Sequence, residues 1–171
     1  MALTQEIRAT VRAAYQGRCG YCGISETWAG SELELDHFRP TAQGGSDALD
    51  NLVYACTTCN RFKSGYWPSA DARESLRLLH PLHDDLSLHL QETADGQLMG
   101  LTSRGWFHIH RLHLNRPQLV EVRQFLQVNQ PLQRALVQAQ DVQAQLRTRI
   151  RDLEAEVAEL QKLIALLTGA P

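Results

Sequence analysis

Apolar residues recur at Leu3, Ile7, Val11 and Ala14, the spacing of one helical face, with Thr4 placed to cap the first turn and Gly17 to end it. Glu32 to His37 alternates polar and apolar residues, which predicts a half-buried strand; Pro40 and the pair Gly44 and Gly45 then impose a loop. Leu52 to Ala55 predicts a second short strand, and Thr57 to Ser64 a helix stopped by Gly65 and Pro68. Further on, Leu86 to Thr93 and Gln97 to Leu101 flank Ala94-Asp95-Gly96 as the arms of a hairpin. Trp106 to Leu114 reads as a helix with Thr102 as its cap. Pro117 suits the first turn of another helix reaching about Val128, which Pro131 is expected to break or kink.

Beyond Pro131 the pattern becomes a heptad. Its a positions are Leu136, Gln143, Ile150, Val157 and Ile164, and its d positions are Leu132, Ala139, Leu146, Leu153, Leu160 and Leu167. β-Branched residues at a with Leu at d favour a parallel two-stranded coil, and one polar a position, here Gln143, sets register. The expectation is a coiled coil over residues 132–167, pairing with a second copy or with another protein. The alternative is a helix folded back on its own domain.

The chain has 171 residues, 43% of them apolar, which is enough for a modest core. A formal charge of −2 excludes bulk electrostatic coating of nucleic acid and leaves room only for a local basic groove. No apolar run is long enough to span a bilayer, and the N-terminus lacks a basic segment followed by an apolar one, so we expect a cytoplasmic protein with no membrane partner. All four cysteines fall into two CxxC pairs, Cys19/Cys22 and Cys56/Cys59. In a chain read as intracellular, that spacing predicts a tetrahedral structural Zn2+ site, with disulfides as the alternative.

Such a site ties residue 19 to residue 59 and closes a module that contains Asp36, His37 and Asn51, with Asn60 directly after its last cysteine. Phosphodiester hydrolysis needs a base to activate water and a cation to offset the phosphate and the departing oxygen. His37 suits the base. Asp36 and Asn60 are hard oxygen donors of the kind Mg2+ or Mn2+ accepts, and Asn51 is placed to orient the ring of His37. Adjacent strand residues face opposite sides, so Asp36 and His37 can share one site only if the strand twists or bulges. Lys63 lies one helical turn after Asn60 and, with Arg61 and Arg39, is a candidate phosphate contact.

The runs CGYC, LELDHFRPTAQGG and DNLVYACTTCNRFKSG together resemble the HNH endonuclease family in its form with a four-cysteine zinc site. The resemblance covers residues about 15–65 and implies an α+β protein with a ββα-metal core. It further implies His37 as general base, one divalent ion held by Asp36 and Asn60, Asn51 as the middle motif residue, and DNA as substrate, with RNA not excluded. The stretch from His80 to Val120 is similar to a segment that follows this core in one bacterial subgroup. The expected organisation is an HNH core at 1–66, an accessory α/β segment at 67–130 and the coiled-coil helix at 131–171. His83 and His89 are candidates for facing the cleft, while His108, His110 and His113 are read as structural. The rival reading is a non-catalytic zinc module that binds DNA or protein and is recruited through the coil.

Overall fold

A computed structural model describes residues 3–168, apart from the side chains of residue 163 and residues 165–168, so Leu167 of the heptad lies outside the described side chains. Helix α1, Gln5–Ala14, starts where expected: the Thr4 hydroxyl accepts the Ile7 amide. A one-turn helix α2, Glu26–Ala29, follows the first cysteine pair. Strands β1, Glu34–His37, and β2, Leu52–Ala55, form an antiparallel pair in regular register, with Asp36 opposite Val53 and His37 opposite Leu52. Helix α3, Thr57–Lys63, begins at the second cysteine pair, with Cys56 as its N-cap.

The hairpin β3, Leu90–Glu92, and β4, Leu98–Gly100, is shorter than its sequence pattern suggested. Leu86–Leu88 is a 3-10 turn because the Asp85 carboxylate takes the Ser87 amide and closes the chain locally. Helix α4, Ser103–Arg111, is capped by Thr102, which accepts the Gly105 amide. Gly105 is required there: a Cβ would stand 2.1 Å from the His89 carbonyl oxygen.

Helix α5, Pro117–Thr168, runs through Pro131 without interruption, so the expected break is absent. The proline removes one amide donor from the helix ladder, at a position where it and both of its neighbours are exposed. The described residues contain no helix long and apolar enough to cross a membrane.

The chain divides into two units at Gln124 and Phe125. In the first, all four β2 residues are buried, and they pack in one core with Val11 of α1 and Tyr15 just after it, Ile109 of α4, and Leu112, Leu114 and Leu119 beyond it. The segment after the cysteine module therefore completes the same core. Burial on both faces explains why Leu52-Val53-Tyr54-Ala55 shows no polar alternation. The second unit is the remainder of α5.

Candidate zinc site and the face of the first strand

The two CxxC pairs converge. The Sγ atoms of Cys19, Cys22, Cys56 and Cys59 all lie within 4.8 Å of one another, with Cys22 and Cys56 3.8 Å apart. A tetrahedron with Zn–S bonds of about 2.3 Å has an edge of roughly 3.8 Å, so the cluster fits Zn2+. The first knuckle is closed by the Gly23 amide on the Cys19 carbonyl, with Gly23 at φ 74, and the second is the opening turn of α3. All four cysteines are free, which leaves the thiolates for a closed, structural ion.

Sequence reasoning missed a further partner. Arg116 Nη2 lies 3.5 Å from Cys59 Sγ and 3.8 Å from Cys56 Sγ, while its Nη1 donates to the Leu112 and His113 carbonyls. A guanidinium there would offset the net charge of about −2 that four thiolates leave on a bound Zn2+. Its neighbour Asn115 clamps Leu98 by both backbone groups. The Asn-Arg-Pro run thus joins the accessory hairpin, the metal site and the start of α5.

On the other side of α3, β1 presents alternate side chains. Glu34 accepts from Thr57 Oγ1 and from Asn60 Nδ2, each at 2.7 Å. Asp36, two residues on, accepts from Tyr21 Oη at 2.5 Å and from Lys63 Nζ at 3.1 Å. Lys63 Nζ also donates to the His37 carbonyl at 2.7 Å, and the Lys63 side chain is 0% exposed. Lys63 therefore does not occupy the surface position expected of a phosphate contact: its placement in the last turn of α3 aims it inward, at β1. Burial raises the Asp36 carboxyl above the usual carboxylate range, against the opposing pull of Lys63, and burial likewise lowers Lys63.

The regular register leaves no bulge to bring Asp36 and His37 to one side. Asp36 and Asn60 also take different partners, Lys63 and Glu34. The pair expected to hold Mg2+ or Mn2+ does not fit an open cation site in this arrangement, because an ammonium already balances the carboxylate.

His37 faces elsewhere. Its Nε2 lies 2.7 Å from Asp47 Oδ1, and its side chain is partly exposed. A carboxylate only accepts, so Nε2 carries the hydrogen and Nδ1 holds the lone pair of the neutral ring. Asn51 makes its bonds to the loop rather than to the ring: Oδ1 accepts the Arg39 amide, and Nδ2 donates to the Arg39 and Ser46 carbonyls. Asn51 thereby fixes the turn from which Asp47 reaches His37. Gly45 belongs to the same turn, where a Cβ would meet the Arg39 carbonyl oxygen at 1.7 Å. Asp47 and Glu34 were invisible as site residues, since nothing local in the sequence separates them from other surface acids.

Arg39 and Arg61 are exposed; the Arg39 guanidinium sits 5.6 Å from the Trp67 ring centre. His83 stacks on buried His80 and reaches toward the Asp50 carbonyl, beside the turn that carries Asn51. His89 bonds to Thr102, His108 is buried and accepts the Leu79 amide, and His113 stacks on Phe62. Among the described residues, the cysteines are the one group of three or more His, Cys, Asp or Glu residues whose ligand atoms converge.

The family model described as HNH endonuclease matches residues 19–65. Residues 19–65 are thus similar to an HNH endonuclease domain. The domain holds both knuckles, β1, β2 and α3. The chain is also 26% identical over 146 residues to the Septu protein PtuB of Bacillus mycoides (strain KBAB4), spanning 64% of this chain and 48% of that protein. It is 26% identical over 137 residues to the Septu protein PtuA of the same strain, spanning 64% of this chain and 19% of that protein. The chain thus spans less than half the length of these curated relatives. No solved structure shows a significant match.

Proposed function

We propose that the HNH domain is an endonuclease that hydrolyses phosphodiester bonds of DNA, with His37 as general base. The observation that carries this reading is the His37–Asp47 contact, which commits Nε2 to Asp47 and leaves Nδ1 as the acceptor. Nδ1 takes a proton from water, the oxygen of that water bonds to phosphorus, and the P–O bond to the 3′ oxygen breaks; the 3′ oxyanion takes a proton from solvent, leaving a 5′-phosphate and a 3′-hydroxyl. Asp47 holds the ring and stabilises the imidazolium that forms. Arg39 and Arg61 are exposed cations suited to the DNA backbone. The four cysteines hold Zn2+ as the structural clamp of this unit.

A second reading is favoured by one specific observation: Asp36 is already paired with Lys63. On that reading the domain is a non-catalytic zinc module that binds DNA or protein. The deciding experiment is plasmid cleavage with Mg2+ or Mn2+ supplied, comparing the full chain with His37→Ala. Cleavage by the wild type that His37→Ala loses supports the nuclease. Equal cleavage by both removes His37 as base, and intact, zinc-loaded protein that cuts neither DNA nor RNA moves the assignment to the binding module.

A further inference from the structure

Residues 130–162 of α5 are exposed on every side of the helix, yet their composition is not that of a solvated helix. Leu146, Ile150, Leu153, Val157 and Leu160 are between 43% and 58% exposed and recur with the a/d spacing of a heptad. Leu132 to Leu160 makes a stripe roughly 43 Å long at 1.5 Å per residue. An exposed apolar stripe of that length is a surface for another helix.

The geometry points to a second copy of this chain as the occupant, aligned parallel and in register. Three features select it. Ile150 and Val157 at a with Leu146, Leu153 and Leu160 at d are the pairing that parallel two-stranded coils favour. In that register Arg149 at g meets Glu154 at e of the partner helix, twice by symmetry. The adjoining g-to-e pairs, Val142 with Arg147 and Glu156 with Gln161, join no like charges. In the antiparallel orientation g faces g and e faces e, and the Arg149–Glu154 pair is lost. The area is also sufficient: nine apolar seam positions from 132 to 164, each covering on the order of 100 Å2, bury roughly 900 Å2 per chain, against ~800 Å2 per partner in a standard interface. Gln143, the polar a position, meets its own counterpart only in this register and penalises slipped alignments.

This pairing stands independently of the nuclease reading, since it uses no residue of the HNH domain. The test uses the full zinc-loaded chain. Sedimentation should give twice the 19.3 kDa chain mass. Arg149→Glu and Glu154→Arg should each weaken the dimer about tenfold or more, and the double variant should restore it. Gln143→Cys should form a covalent dimer in a glutathione redox buffer, which requires the two 143 positions to be adjacent. A monomer at all concentrations, a trimer or larger assembly, or a dimer whose Gln143→Cys form does not crosslink would each overturn the proposal.

Discussion

Lys63 and Asp36 are each other's counter-ion inside the HNH-like region, with Nζ 3.1 Å from Oδ1 and the lysine side chain wholly covered. The same ammonium holds the His37 carbonyl, so the pair ties α3 to the end of β1.

Removing one partner leaves the other charged and buried, which costs about 3–5 kcal/mol. Asp36→Asn and Lys63→Met should each lower the unfolding free energy from urea titration by that order, and the double variant should lose much less than their sum. The Mn2+ concentration giving half-maximal cleavage should be unchanged in Asp36→Asn. An Asp36→Asn protein of wild-type stability that needs far more Mn2+ would return Asp36 to the role of ion ligand.

The Asp47 contact makes a separate claim about chemistry. His37→Ala should reduce cleavage by roughly 10²–10⁴-fold, the range for loss of a general base. Asp47→Asn keeps the side-chain size and should cost about tenfold in kcat with KM and unfolding midpoint unaltered. If Asp47→Asn cleaves at the wild-type rate, the residue does not position the base.

At the zinc site the two classes of contact should separate. Cys56→Ser removes a ligand, and because structural zinc contributes folding energy directly, it should lose zinc and cooperative unfolding together. Arg116→Ala keeps all four thiolates and should weaken zinc retention by roughly 10–100-fold in a chelator competition. Arg116→Lys restores the charge and should recover part of that loss. Identical zinc release from Arg116→Ala and wild type would show that the guanidinium is only a packing group.

Acid stability should carry the mark of buried histidines. Burial lowers His108 from its usual 6.5 to about 3 and His80 to about 4, so the folded state keeps both neutral while the unfolded chain binds protons. Below the unfolded pKa the unfolded state gains protons, and stability falls as pH drops from about 6.5 toward 4. Each such histidine contributes a slope of roughly 1.4 kcal/mol per pH unit in that window. His108→Gln should be less stable at neutral pH but have a shallower slope by about that amount. Thiolate protonation affects both proteins alike, so an unchanged slope would exclude His108 as a source.

The features legible in the sequence were those written in short, local spacing. Two CxxC pairs located the cysteine cluster, Thr4 and Thr102 marked helix starts, Leu52 to Ala55 declared a strand, and the heptad declared a long helix. Each depends on residues a few positions apart, where backbone geometry leaves few choices. Partner choice was decided only by tertiary structure. Asp36 was readable as a metal ligand until α3 crossed β1 and set Lys63 against it from 27 positions away. Asn51 was readable as a partner of His37 until the loop closed and turned its amide to Arg39 and Ser46, leaving Asp47 for the imidazole. Arg116 reaches the cysteine cluster across 57 positions from Cys59, a distance no motif spacing records. A polar side chain buried by folding must satisfy its hydrogen bonds with whichever group the core brings beside it, and that neighbour is a property of the packed chain rather than of its local pattern.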